Sequence, residues 1–171
     1  QPILRQTALE VPTGAITSPA FQQFLQDMRA TLLTAGGVGL AAPQVFDNRR
    51  VFLAAILPPV EIDGDPEIET FINPRLVGVS AERADAWEGC LSFPELLVLV
   101  PRPQAVRMEY VNDRGEPCVI DLVDFAARVA QHEKDHLDGI LTLDRAKSSR
   151  HIVKASEIDA FLGREKKGES M

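Results

Sequence analysis

A pair of histidines on a predicted helix constrains this chain more than any other feature of its sequence. The pair lies in the motif HEKDH at 132 to 136, inside a stretch from about Phe125 to Ile140 whose apolar residues recur with a helical period. Residues four apart on a helix project from one face, so both imidazoles can reach one metal ion. A helical wheel groups His132, Glu133 and His136 with Phe125, Ala126 and Val129, and it places on the opposite side Ala127, Gln131, Lys134 and Asp138. We therefore expect the two histidines to face the core.

Two other interpretations of this helix remain open. The histidines could be core residues with satisfied hydrogen bonds, or the segment could be a charged helix with i,i+4 ion pairs. A catalytic metal usually has three protein ligands and an open position, so the metal interpretation needs a third ligand. The candidates are the thiol of Cys90, which follows a glycine that lets the backbone approach a ligand closely, and the downstream residues Asp138, Asp144 and His151.

The rest of the pattern predicts one α+β domain. Ser18 and Pro19 begin a helix whose apolar residues run from Phe21 to Leu32 and which ends near Gly36. Short, mostly antiparallel strands are predicted at 50–57, 69–72, 75–79, 105–111 and 118–122, with turns at 58–65 and 112–115, and a weaker helix at 154–162. Because 171 residues suit one domain, we expect a single domain over 1–171, with antiparallel sheets packed around the central motif helix, an N-terminal helix and a short C-terminal helix.

A loop with small side chains adds a second motif. Residues 37 to 44 read GVGLAAPQ and end in Gln44, whose amide can donate a hydrogen bond to an oxyanion. Together with EGCLS at 88 to 92 and QHEKDH at 131 to 136, this loop resembles the three signature motifs of peptide deformylases, over nearly the whole chain. The resemblance implies a hydrolase that removes the formyl group from the N-terminal formylmethionine of nascent polypeptides and releases formate.

The resemblance also implies a role for each motif residue. Cys90, His132 and His136 would hold one divalent metal, natively iron(II), with zinc, nickel or cobalt able to occupy the same site. Glu133 would be the general acid and base, taking a proton from water and delivering it to the leaving amine. The remaining catalytic contacts, to the formyl oxygen, would come from Gln44 and the backbone N–H of Leu91.

Substrate-binding residues follow from the same resemblance. It places the peptide backbone along Val38 and Gly39 on one side and Gly89 and Leu91 on the other, as a strand added to an exposed sheet edge. The methionine side chain then needs an apolar slot. Val129 and Phe125 lie about one and two turns before His132, so we expect them to line that slot, with plain core packing as the alternative.

Two further expectations concern residues outside the three motifs. Arg102 and Asp135 are expected to pair and to position the motif helix, although both could equally be solvated charges. Cys118 has no partners of interest and is expected to be an ordinary half-buried strand residue. The apolar stretch LLVLV at 96–100 departs from many bacterial members, which carry polar or basic residues there, so the resemblance does not extend to contacts with longer peptides.

Charge and hydropathy bear on partners and location. A net charge of -7 argues against nucleic acid as the main ligand, and no apolar run approaches the roughly 20 residues that span a bilayer. The basic stretch 164–167 could contact the ribosome transiently or be a solvated tail. The chain opens with Gln1 and no signal-peptide pattern, so we expect trimming from a longer precursor and no export. Bacterial cytoplasm is the expected location, although a mature organellar or virus-encoded enzyme would look the same.

Two rival functions compete with the deformylase interpretation. One is a metallopeptidase that uses a different third ligand, keeps its metal without Cys90 and cuts internal peptide bonds. The other is a deformylase-like protein that has lost catalysis and serves as a binding module.

Overall fold

The computed structural model describes residues 1–56 and 67–166. The turn predicted at 58–65, the end of the strand predicted at 50–57, and the last residue of the basic stretch lie outside these residues. The chain forms two compact units, one made of residues 1–83 and 102–141 and the other of residues 84–101 and 142 onward. Two compact units do not by themselves define domains, so the single-domain prediction stays a prediction.

The described residues form four α-helices and eight strands. The helices are α1 (Thr13–Ile16), α2 (Pro19–Ala35), α3 (Asp124–Leu137) and α4 (Ile158–Lys166). Among these residues, no helix combines the length and the apolar character needed to cross a membrane. The strands are β1 (Gly39–Ala41), β2 (Val51–Ala54), β3 (Glu69–Val79), β4 (Arg83–Cys90), β5 (Phe93–Pro103), β6 (Ala105–Val111), β7 (Pro117–Val123) and β8 (Ile152–Lys154).

The first unit contains a five-stranded antiparallel sheet in the order β1-β2-β3-β6-β7. Helices cover both faces of this sheet, and the side chains of β2 alternate between the two faces. Phe52 and Ala54 belong to the core cluster that includes residues of α3, whereas Val51 and Leu53 belong to the cluster that includes residues of α2. The sheet therefore has α3 on one face and α2 on the other, and β2 is apolar throughout because both of its faces are buried.

Two local predictions in this unit are confirmed. The Ser18 hydroxyl accepts a hydrogen bond from the Phe21 N–H, and α2 ends at Gly36 in the left-handed conformation, with φ of 63°. The turn between β6 and β7 lies where the sequence predicted it. There the Asn112 side chain accepts hydrogen bonds from the N–H groups of Arg114 and Glu116.

One strand differs from its prediction. Residues 69–72 and 75–79 were expected as two strands but form the single strand β3, with a register shift between Ile72 and Arg75. Asn73 has a positive φ of 51° at this irregularity. Its side chain accepts a hydrogen bond from the Val11 N–H and donates one to the Val11 carbonyl, which ties the N-terminal segment to the irregular point of the strand.

The second unit contains a three-stranded sheet in the order β4-β5-β8, which the sequence analysis did not predict. The apolar stretch at 96–100 lies in β5, where Val98 and Val100 are buried and Leu97 pairs with Val153 of β8. The Trp87 and Phe161 rings pack edge to face at 5.4 Å, which holds α4 against this unit. The apolar stretch therefore has a structural role as a sheet strand.

Helices combined with antiparallel sheet confirm the α+β class. The finer prediction, that the sheets surround the motif helix, stays a prediction. The C-terminal helix begins at Ile158, four residues later than predicted, because β8 and a short 3₁₀ turn occupy 152–157.

Candidate active site

The motif lies on α3, whose C-terminal end is set by a required glycine. Gly139 has a φ of 72°, and a Cβ there would meet the backbone of Arg5 at 2.8 Å, so no other residue fits without strain. Lys134 lies in the last turn, where its positive charge interacts favourably with the helix dipole. The helix therefore ends at Leu137, one residue after His136, which is the last residue of the HEKDH motif.

The three chemical groups of the motif are buried. His132, Glu133 and His136 all have side chains removed from solvent, and the two imidazole rings lie 5.1 Å apart, centroid to centroid. Burying two imidazoles and a carboxylate costs free energy unless they have partners, and such groups concentrate at functional sites. This confirms that the histidines face inward, as the helical wheel predicted.

The same wheel was wrong about the other side of the helix. Ala127 and Gln131 were placed opposite the core but are buried, and Phe125 was grouped with the histidines but is 60% exposed. The physical reason is that α3 contacts β1, β2, β6 and β7 of its own unit, so more than one face is covered. The Gln131 amide is satisfied there by donating to the carbonyls of Pro103 and Ala127, at 3.0 and 2.9 Å.

The first glycine of β1 makes room for the motif glutamate. A Cβ on Gly39 would lie 2.7 Å from Cδ and 2.8 Å from Cγ of Glu133, well inside ordinary contact distance. Gly39 is therefore needed because the Glu133 side chain occupies the space that any other side chain would take. Val38, the preceding residue, is exposed, and its carbonyl accepts a hydrogen bond from the Ala55 N–H at 2.9 Å.

The orientation of the Gln44 amide follows from its hydrogen bond. Gln44 lies in the 3₁₀ turn Ala42–Val45, and its Oε1 accepts from the Ala41 N–H at 2.8 Å. Because a backbone N–H needs an acceptor, the oxygen end of the amide is assigned to this contact. The NH₂ end, which is the donor, then points away from Ala41.

The second unit carries the motif EGCLS. Cys90 is half-buried at the end of β4, Gly89 before it is exposed, and Leu91 after it begins a turn and is partly exposed. A Cβ on Gly89 would lie 3.6 Å from Cδ2 of Leu97, an ordinary contact. The other cysteine, Cys118, is half-buried on β7, as predicted.

One thiol and two imidazoles form a candidate metal-binding group in the described part of the chain, namely Cys90, His132 and His136. Thiolate sulfur and imidazole nitrogen are ligands that zinc, iron and neighbouring divalent metals accept, and three protein ligands leave a position open for water or substrate. This donor set fits a single metal ion.

Asp138, one of the downstream candidates for a third ligand, is occupied by ion pairs. Its Oδ1 accepts from Nη1 of Arg50 at 2.9 Å, and its Oδ2 accepts from Nζ of Lys134 at 2.5 Å. Burial acts to raise the pKa of Asp138, but the hydrogen bonds from Lys134 and Arg50 hold that pKa below its ordinary value. Both carboxylate oxygens of Asp138 are thus used within the protein.

The predicted pairing of Arg102 with Asp135 is confirmed. Nη1 of Arg102 lies 2.8 Å from Oδ2 of Asp135, and the two side chains are only 5% and 10% exposed. Asp135 stands directly before His136, so this buried ion pair fixes the motif helix close to one of its histidines. The alternative, that both residues are solvated charges, is wrong.

The sequence analysis missed Arg50 and the role of Asp138. The i,i+4 spacing of Lys134 and Asp138 was a usable signal for one ion pair. Nothing in the sequence pointed to Arg50, which is 88 positions from Asp138 and reaches it only in the folded chain.

The chain is similar to known proteins over most of its length. The polypeptide deformylase family model matches residues 1–151. Peptide deformylase 2 of Nostoc sp. is 42% identical over 163 residues, covering 94% of this chain and 90% of that protein. The crystal structure of peptide deformylase from Thermotoga maritima superposes with a TM-score of 0.77 at 36% identity, covering 86% of this chain and 93% of the other. A class I type b peptide deformylase from Acinetobacter baumannii bound to Met-Ala-Ser gives a TM-score of 0.78 at 35% identity, covering 85% and 92%. On the extent of these matches, the chain belongs to the peptide deformylase family.

Proposed function

We propose that this protein hydrolyses the N-formyl amide of peptides that begin with formylmethionine, releasing formate and a free amino terminus. The observation that carries the proposal is the buried Glu133 between His132 and His136 on α3, in a chain that belongs to the peptide deformylase family. The Met-Ala-Ser peptide bound to the Acinetobacter baumannii relative has the chemistry of a deformylated product and supports the choice of substrate.

We propose that Cys90, His132 and His136 hold one divalent metal, natively iron(II), with zinc, nickel or cobalt as substitutes. The chemistry of the donors supports this, since one soft thiolate and two imidazoles suit all four metals. When bound, such a metal acts as a Lewis acid and lowers the pKa of water toward ~7, which provides a nucleophile at neutral pH.

Glu133 moves the proton in this proposal. Its carboxylate accepts a proton from the attacking water and then donates it to the nitrogen of the leaving amine, so the C–N bond breaks without expelling an unprotonated amide anion. The packing of Gly39 against the Glu133 side chain restricts where that carboxylate can lie. A carboxylate held in one position transfers a proton more effectively than one that samples many.

Gln44 and the backbone N–H of Leu91 stabilise the charge that develops on the formyl oxygen. The Gln44 Oε1 is held by the Ala41 N–H, and that contact directs the donor end of the amide away from β1. A single oxyanion donor contributes on the order of 3 kcal/mol to such a transition state. Gln44→Ala is therefore expected to lower kcat by about 100-fold.

The substrate contacts in this proposal are those of a strand added beside β1. Val38 and Gly39, with Gly89 and Leu91, contact the peptide backbone, and the methionine side chain lies against Val129 and Phe125. The exposure of Val38 and Phe125 supports their access to a ligand, whereas Val129 is buried in the core cluster that includes α3. A transient contact of the basic C-terminal stretch with the ribosome, and a cytoplasmic location, belong to the same proposal because formylated chains emerge at ribosomes.

The test is formate release from formyl-Met-Ala-Ser by anaerobically iron-loaded protein, compared with Glu133→Ala and the matched variant Glu109→Ala, whose glutamate is exposed on β6. We expect release by the wild type and by Glu109→Ala, and loss of release by Glu133→Ala with the metal retained. Metal-loaded wild type that releases no formate would refute the proposal and favour the inactive binding module.

A second variant separates deformylation from general peptidase activity. Cys90→Ser is expected to lose metal and formate release together. If Cys90→Ser kept both, or if the wild type cut internal peptide bonds, the metallopeptidase with a different third ligand would be the better description.

A further inference from the structure

We infer that Arg50 is a positioning residue for the metal-binding histidines, because it fastens the C-terminal end of α3 to the start of β2 and to the irregular point of β3. The inference rests on the proposed function, since it assumes that His132 and His136 hold the metal. Arg50 belongs to none of the three motifs.

The Arg50 guanidinium binds three acceptors from two elements. Nη1 donates to Oδ1 of Asp138 at 2.9 Å and to the carbonyl of Leu137 at 3.4 Å, and Nη2 donates to the carbonyl of Pro74 at 3.3 Å. The side chain is only 12% exposed, so these bonds form where water competes weakly. The planar fork of arginine can satisfy acceptors in two directions at once, which lysine cannot.

The position of these acceptors connects Arg50 to the site. Leu137 directly follows His136, and the last carbonyls of a helix have no partner within the helix. Arg50 shares the Leu137 carbonyl with the Ala8 N–H, which donates to it at 2.8 Å. Both donors hold the backbone next to His136, so they limit how far that turn can fray or rotate.

The backbone of Arg50 is itself held by hydrogen bonds to two other segments. The Arg50 N–H donates to the Leu9 carbonyl at 2.7 Å, and the Arg50 carbonyl accepts from the Asn73 N–H at 2.9 Å. Its backbone is therefore bonded on both sides before the side chain reaches α3. Lys134 also pairs with Asp138, but it lies on α3 and cannot connect the helix to the sheet.

The preceding residue provides a matched control. Arg49 carries the same charge one position earlier, and its guanidinium pairs with Asp47 at 2.6 Å and lies 3.7 Å from the ring centroid of Phe24. Its side chain is 35% exposed, and none of the contacts described for it involves α3. Replacing Arg49 thus removes an arginine from the same loop without touching the motif helix.

The experiment measures Co(II) affinity by competition with a chelator, together with kcat and KM for formyl-Met-Ala-Ser and the midpoint of thermal unfolding, in Arg50→Met, Arg50→Lys and Arg49→Met. We expect Arg50→Met to bind Co(II) about 10-fold more weakly and to lower kcat, with KM within twofold of wild type, because outer contacts of metal ligands typically act on that scale. Arg50→Lys should recover part of the loss, because it retains the charge near Asp138 but not the fork. Arg49→Met should match wild type in affinity and kcat.

A merely structural role would lower the unfolding midpoint without changing the site. If Arg50→Met and Arg50→Lys both bound Co(II) with wild-type affinity and turned over at the wild-type kcat below their unfolding midpoints, the inference would be overturned. Arg50→Lys keeps the test decisive if Arg50→Met does not fold. Co(II) affinity also separates this inference from the proposed function, because it can be measured even if the wild type releases no formate.

Discussion

Replacing Gly39 with alanine should impair catalysis far more than a methyl group on a strand normally would. The new Cβ would come closest to Oε1 of Glu133 and would lie 2.7 Å from its Cδ. Because ordinary carbon contacts begin near 3.4 Å, the carboxylate must move by at least about 0.7 Å. Glu133 is buried, which limits the directions in which it can yield. A displacement approaching 1 Å at a reacting group can cost about 100-fold in rate, so we expect kcat to fall by roughly 10- to 100-fold. Overpacking should also lower the free energy of unfolding by about 1–3 kcal/mol.

Gly78→Ala is the matched control for this substitution. Gly78 lies on β3 of the same sheet, and its added Cβ would meet only the Cβ of Arg107, at 3.4 Å. Formate release at saturating formyl-Met-Ala-Ser gives kcat, and urea unfolding gives the stability of both variants. A kcat for Gly39→Ala within twofold of that for Gly78→Ala would refute the argument, because it would mean that Glu133 does not need its present position.

Two further predictions concern charged groups. Arg102→Met should lower the free energy of unfolding by about 3 kcal/mol in urea titrations, because it removes the guanidinium from the buried Asp135 carboxylate. Arg107→Met, which breaks an exposed ion pair, should lower it by no more than about 1 kcal/mol. Equal losses in the two variants would contradict this prediction. Burial raises the pKa of Glu69, although the Tyr110 hydroxyl donates a hydrogen bond to its carboxylate. The folded state therefore favours the protonated form of Glu69. The contribution of Glu69 to stability is favourable at acid pH and is lost as pH rises through its folded-state pKa. The stability of wild type relative to Glu69→Gln should therefore be greater at pH 4 than at pH 7, and a difference independent of pH would count against it.

The elements that could be predicted from the sequence are those whose signals are local. The cap of α2 needs only Ser18 and the residues of the first turn, and the turn before β7 needs only Asn112 and its neighbours. The strands β1, β4, β5 and β8 were missed. The first and last of these have only three residues each, and β4 and β5 lack a strong alternation of apolar and polar residues; all four exist because neighbouring strands pair with them. Helical periodicity likewise could not show that Ala127 and Gln131 would be covered, because burial depends on which strands α3 meets.

By itself, the sequence determined which chemical groups are present and in what pattern: the histidine spacing on one helix face, the glutamate between the histidines, and three motifs that together point to one family. The pairing of Arg102 with Asp135 was a hypothesis from the sequence, with solvated charges as the alternative, and the structure decided in its favour. Only the tertiary structure showed that the Glu133 side chain fills the space beside Gly39, where a larger residue would place its Cβ. Only the tertiary structure showed that Arg50 reaches Asp138, which is 88 positions away in the sequence. The reason is that local residue patterns specify which groups are present, whereas contacts between distant segments arise only when folding brings those segments together.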